Sequence, residues 1–286
     1  MLDPRVNAFR PDLADADLKG RVEAARFVRG EPGRIAVAHA ALRREPFLDA
    51  TMLTEALFGE PVSIFETTPE GWAWVQLGTD GYVGWMQADE VAGAAPEPTH
   101  KVSTLATFAF AAPDIKTRPL LTLPLGARVS SAGAAEDKNA RYALIAPKGA
   151  VVVQHLTPLD AVEADWVAVA ERFLGVPYLW GGRTAAGIDC SGLVQMALQS
   201  VGIAAPRDSD MQEASVGEAL TRGTEELRRG DLVFWKGHVG IMCDAERLLH
   251  ANAHAMAVSI EPLAEAEERS RREGSRVTSI RRLMAD

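Results

Sequence analysis

Residues 60–91, EPVSIFETTPEGWAWVQLGTDGYVGWMQADEV, leave little choice of fold. Apolar and polar residues alternate in runs too short for a helix, and Pro-Glu-Gly and Thr-Asp-Gly interrupt them at turn positions. The stretch from about Ile35 to Val91 therefore predicts several short strands forming a small all-β barrel. AGAAPEPTH (92–100) reads as a linker. A second β unit follows from about Lys101 to Leu156. Its end, RYALIAPKGAVVVQHLTPL, lies against WAWVQLGTDGYVGWMQADEV with Gly149 opposite Gly81 and Val153 opposite Trp85, which suggests a diverged duplication. Before the first barrel, the spacing predicts a short amphipathic helix from roughly Asp12 to Val28, bounded by Pro11 and GEPG.

Whole-chain properties narrow the function classes. A length of 286 residues allows two domains or three small ones. The net charge of −9, with no basic stripe, argues against nucleic acid as the partner; RREGSRVTSIRR reads as a solvated loop and edge strand. No apolar run approaches a membrane span, and the acidic start MLDPRVNAFRPDLADADLKG does not resemble a secretory signal, so the expected location is the cytoplasm. In that reducing compartment Cys190 and Cys243 are expected as free thiols.

From about Pro158 the pattern changes. DAVEADWVAVAERFLGVPY places Val162, Trp166, Val169, Ala170 and Phe173 on one helical face, ended by Gly175 and Pro177. GIDCSGLVQMALQSVG sets Cys190 at the start of a second helix. The strand-like runs DLVFWKGHVGIMCD, RLLHAN and VTSIRRL come after it, an α+β order. A lone Cys is most often packing, but one at a helix N-terminus has its thiolate stabilised by unpaired N–H groups.

A nucleophile needs a base, held by a third polar group. His238 in GHVGI and His250 in LLHAN fall on two strands joined by a short turn around Ala245 and Glu246. As a hairpin these strands bring the imidazoles together, letting His250 fix the tautomer of His238. A metal site from Cys190, His238, Cys243, His250 and His254 is the competing reading. Strand parity sends His238 and Cys243 to opposite faces, and no Cys-x2-Cys pair is present, so no metal or other cofactor is expected. Cys243 reads as packing.

GVPYLWGGRTAAGIDCSGLVQMAL, LRRGDLVFWKGHVGIM and LLHAN, in that order over residues 160–286, resemble the NlpC/P60 family of papain-like cysteine peptidases, and Gly-Tyr-x-Gly-Trp at 81–85 resembles the end of a bacterial SH3 (SH3b) domain. The resemblance implies an α+β papain-like catalytic domain at 158–286, preceded by an arm at 1–30 and SH3-like barrels at 31–93 and 98–157. It also implies Cys190 as nucleophile, His238 as base and His250 as third residue. Tyr178 would hold the oxyanion with the Cys190 backbone N–H, although a buried aromatic explains it too. Asp189, Ser191 and Trp180 line the implied substrate groove; Asp189 is equally a natural N-cap, and Gly181 and Gly182 are equally a plain turn.

Members with tandem SH3b domains resemble dipeptidyl-peptidases that cut the γ-D-glutamyl bond to a diamino acid in murein stem peptides with a free N-terminal L-Ala. By that resemblance Asp208 and Ser209 of PRDSDMQ, with Tyr82 and Glu55 of the first barrel, recognise the amine. The expected reaction is attack by a Cys190 thiolate paired with a His238 imidazolium, with no obligate protein partner. The alternative is a wall- or peptide-binding SH3b protein whose catalytic domain hydrolyses intact wall or acts as a transferase.

Overall fold

Strands at Glu31–Ile35, His39–Arg43, Met52–Leu57, Pro61–Thr67, Trp72–Leu77, Val83–Gln87 and Val91–Ala92 join in one antiparallel sheet. Its core holds Ile35, Leu42, Val62, Val75, Leu77, Tyr82 and Met86. Gly84 is required where the strands His39–Arg43 and Val83–Gln87 pair: a Cβ there would stand 2.7 Å from Leu42 Cγ and 2.9 Å from the Arg43 carbonyl oxygen. The computed structural model describes residues 2–93, 95–221 and 226–283, and the chain divides into two units, Met1–Ala161 and Val162–Asp286.

The expected helix at 12–28 does not form. Leu13–Asp15 and Arg26–Val28 are short strands paired in parallel, with one 3-10 turn between them at Ala16–Leu18. Gly20 takes a left-handed φ of 83°, and Leu13 is buried with Phe65, Trp74 and Val83. Packing onto the sheet outweighs the helical spacing. Upstream, the Val83 N–H donates to the Arg5 carbonyl at 2.8 Å, and Arg10 stacks its guanidinium 4.3 Å from the Trp74 ring and 4.9 Å from Trp85.

Further along the first unit, His100–Val102, Arg128–Val129 and Leu156–Pro158 form a three-stranded sheet. Ala106–Phe110, Pro119–Pro124, Ser131–Glu136, Arg141–Ile145 and Ala150–Val152 form a five-stranded one. The sequence Val83–Gln87, 3-10 turn Ala88–Glu90, Val91–Ala92 recurs as Ala150–Val152, 3-10 turn Val153–His155, Leu156–Pro158. The expected alignment is displaced at its end: Val153 opens the turn, whereas Trp85 lies within a strand.

The second unit contains helices α1 (Trp166–Glu171), α2 (Cys190–Ser200), α3 (Ser209–Ser215) and α4 (Leu263–Arg272). Helix α1 starts later than its apolar spacing implies, because Asp165 caps it by accepting the Val167 and Ala168 N–H groups; Val162 is left outside it, 62% exposed. A six-stranded antiparallel sheet runs in the order Glu218–Ala219, Val277–Arg282, Asp231–Trp235, His238–Met242, Arg247–Asn252, Ala257–Pro262. The basic C-terminal segment is thus not an edge strand. Helix α2, apolar along Leu193, Val194, Ala197 and Leu198, packs on the His238–Met242 strand. Leu263 and Ala266 of α4 join Val233, Trp235, Met242 and Leu248 in a further apolar cluster.

Candidate active site

Cys190 is the first residue of α2, and Asp189 is its N-cap. The Asp189 carboxylate accepts the Gly192 N–H at 2.7 Å, the Gly181 N–H at 2.8 Å and the Ser191 hydroxyl at 3.3 Å. Arg207 then closes on it from Nη1 and Nη2 and also donates to Ser191 Oγ at 2.8 Å. Asp189 and Ser191, expected to touch substrate, are instead buried and committed to holding the helix start. Gly182 belongs to the same support, since a Cβ there would lie 2.4 Å from the Gly187 carbonyl oxygen.

His238 and His250 meet as their strands require. The pairs Met242↔Leu248, Leu248↔Glu261 and His250↔Ser259 put His238, His250 and Glu261 diagonally on one face of three neighbouring strands. Along this diagonal row His238 Nε2 lies 2.8 Å from His250 Nδ1, and His250 Nε2 lies 2.8 Å from Glu261 Oε1. Arg269 of α4 completes the row, donating from Nη1 to Glu261 Oε2 at 2.8 Å and from Nη2 to Oε1. Glu261, Arg269 and Arg207 were not singled out from the sequence. The alternation in AVSIEP was the available signal for Glu261.

Burial favours the neutral forms of both Cys190 and His238. It pushes the Cys190 thiol up to about 12, with the Asp189 charge acting in the same sense and the Val239 N–H, Arg207 and the Ser191 N–H opposing. It pulls His238 down to about 3, helped by the charges of His250 and Arg269. Burial thus favours a neutral thiol at Cys190 and a neutral imidazole at His238, whereas the sequence leads one to expect an ion pair. Tyr178 is anchored by its N–H to the Met256 carbonyl at 2.9 Å. Burial, Cys190 and Asp189 all raise its phenol, which stays a hydrogen-bond donor.

Trp180, two residues on, is 61% exposed and free to meet a ligand. Asp208 is the N-cap of α3 without a side-chain capping bond, and Ser209 opens that helix; both are partly exposed. In the first unit, Glu55 is 3% exposed with Oε1 2.7 Å from His39 Nδ1, and Tyr82 is 3% exposed, its ring part of the apolar core rather than a solvent-facing ligand contact. Among the described residues no cluster of His, Cys, Asp and Glu is suited to a metal.

A cysteine at the N-terminus of a helix that packs on the strand carrying the first of two hydrogen-bonded histidines belongs to a papain-like thiol hydrolase. Residues 175–275 match the NlpC/P60 family and residues 42–91 match the bacterial dipeptidyl-peptidase SH3 domain, so the chain carries an NlpC/P60 cysteine peptidase domain with a bacterial SH3 domain before it. It is 25% identical to dipeptidyl-peptidase 6 of Lysinibacillus sphaericus, over 79% of this chain and 89% of that protein. It is 28% identical to the gamma-D-glutamyl-L-lysine dipeptidyl-peptidase of Bacillus subtilis, over 76% of this chain and 78% of the relative. An NlpC/P60 family protein from Bacillus cereus has the same fold, with a TM-score of 0.74 and 22% identity over 89% of this chain and all of that one (100%).

Proposed function

We propose that the protein hydrolyses the γ-D-glutamyl–diamino acid bond of small murein stem peptides bearing a free N-terminal L-Ala, releasing L-Ala-D-Glu. The dipeptidyl-peptidase relatives, aligned over most of both chains, carry this reading. Substrate approach lets Cys190 pass its proton to His238 and attack the γ-carbonyl. The oxyanion is held by the Tyr178 hydroxyl and the N–H at the head of α2. His238 protonates the leaving amine, and water then hydrolyses the thioester.

Within the catalytic unit we assign the substrate ammonium to Asp208 and Ser209, because a buried amine without a carboxylate is strongly disfavoured. Trp180 packs on the peptide. We place the reaction in the cytoplasm, a reading supported by two free cysteines, and read residues 98–157 as a second, diverged barrel. Mass spectrometry of L-Ala-γ-D-Glu-diaminopimelate, beside its N-acetylated form and a Cys190→Ala protein, tests the proposal. Cleavage of the free-amine peptide alone, and only by Cys190, is the expected result; no cleavage of either peptide under reducing conditions overturns it.

A further inference from the structure

The histidine pair does not end at His250. Glu261 Oε1 lies 2.8 Å from His250 Nε2, and Arg269 engages both oxygens of the same carboxylate. We propose that Glu261 is a positioning residue that sets the tautomers of both histidines, with Arg269 keeping it an acceptor, so that His238 presents a bare Nδ1 to the Cys190 thiol. This rests on the reading of Cys190 and His238 as nucleophile and base.

The donors fix the tautomers. Arg269 has no acceptor atom, so both Glu261 oxygens must accept from it, and the same interaction holds the Glu261 carboxyl below its usual range. An ionised Glu261 accepts from His250 Nε2–H. The neutral His250 ring then has no proton on Nδ1 and can only accept there, from His238 Nε2–H at 2.8 Å. His238 is left with Nδ1 as its basic nitrogen. When the thiol S–H breaks, its proton goes to His238 Nδ1, and the imidazolium keeps its Nε2–H bond to His250. With the opposite tautomers His250 would donate to His238 Nε2, and His238 would carry its proton on Nδ1, leaving neither nitrogen free to act as the base.

Replacing Glu261 by Leu leaves Arg269 beside His250 Nε2, where a guanidinium donates and so drives the pair to the wrong tautomers. The Glu261→Gln amide still offers one oxygen, and two donors, Arg269 and His250, select that orientation.

Cys190 alkylation by iodoacetamide, followed on the Cys190 peptide by mass spectrometry from pH 4 to 9, reads this without any substrate. The groups facing the row are His254 from the turn after Asn252, Arg269 from α4, and Asp189 from the cap of α2. Glu265 and Glu273 act on Arg269. Glu261→Leu is expected to lower the plateau rate about 10- to 100-fold, the scale of leaving one buried donor unpaired. Glu261→Gln should keep the plateau within about 3-fold, because its amide oxygen still accepts from His250 Nε2–H. Glu261→Leu/Arg269→Leu should recover part of the loss.

A folded Glu261→Leu protein with the wild-type plateau overturns the proposal, and so does a Glu261→Gln plateau as low as that of Glu261→Leu. If the stem peptide is not cut but the alkylation pattern holds, the substrate assignment fails while the role of Glu261 stands.

Discussion

Arg207 donates from Nη1 to Asp189 Oδ1 at 2.9 Å and from Nη2 to Oδ2 at 2.6 Å, a buried ion pair whose carboxylate immediately precedes Cys190. Asp189 is needed to cap α2, yet its charge opposes the thiolate that the same helix end favours. Arg207 reconciles the two by neutralising the carboxylate while leaving its capping bonds intact.

Replacing Arg207 by Leu leaves a buried carboxylate uncompensated, which costs about 3–5 kcal/mol. A thermal melt should show the midpoint falling by on the order of 10 °C. In whatever fraction stays folded, Cys190 alkylation should slow. Asp189→Asn combined with Arg207→Leu should melt higher than the Arg207 single variant. Equal melting of wild type and Arg207→Leu would mean that the pair contributes nothing.

In the first unit, Arg10 lies over Trp74 and Trp85 and pairs with Asp12 and Glu66. Here the N-terminal segment covers Trp85 of Gly-Tyr-x-Gly-Trp together with Trp74 of the neighbouring strand. Arg10→Ala should destabilise this unit by about 1–2 kcal/mol through lost cation–π and stem packing. Tryptophan fluorescence during urea unfolding provides the measurement, and an unchanged midpoint would show that the stacking is decorative.

Tyr178 is expected to act on kcat. Its phenol is held in the protonated form by burial and by nearby Cys190 and Asp189, so it donates throughout the working pH range. Tyr178→Phe removes the donor and keeps the ring. A fall in kcat of about 100-fold with KM nearly constant is the expected outcome in steady-state assays, the size found for loss of one oxyanion donor. A change confined to KM would make Tyr178 a binding residue.

Local signals account for what the sequence made legible. Cys190 stood out because Asp189 and the 3.6-residue apolar spacing mark the same helix start, and His238 and His250 because a short turn constrains two strands tightly. Glu261 was hidden because its strand contributes no motif; it matters only through a register that pairs Leu248 with Glu261. Arg207 was hidden for a related reason, since its partner lies 18 positions away and no spacing rule links them. The segment at 12–28 misled because Leu18, Val22 and Ala25 have the i, i+4, i+7 spacing of a helix, while Leu13 instead meets an apolar surface made by Phe65, Trp74 and Val83. Glu55 and Tyr82 show the converse: motif position located them, but burial against His39 and within the core is a property of the folded sheet.

Stability should fall as the solution is acidified from neutral pH, and His238 is the main cause above the carboxylate range. Burial, with the charges of His250 and Arg269, holds His238 down at about 3 in the folded chain, against 6.5 for a free imidazole. Between those values the unfolded chain binds a proton that the folded chain refuses, so unfolding becomes easier as pH drops. One such site contributes a slope of about 1.4 kcal/mol per pH unit when fully expressed. His250 is also held low and adds in the same direction, whereas His39, raised by Glu55, has the opposite slope in the first unit. Comparing wild type with His238→Gln cancels the His39 contribution. Urea unfolding between pH 7 and 5 should give a smaller loss of stability for the variant, since the window from 6.5 to about 5 lies above the carboxylates that titrate later. Parallel curves for the two proteins would mean that His238 accepts its proton as readily folded as unfolded, and that the neutral thiol–imidazole resting state is wrong.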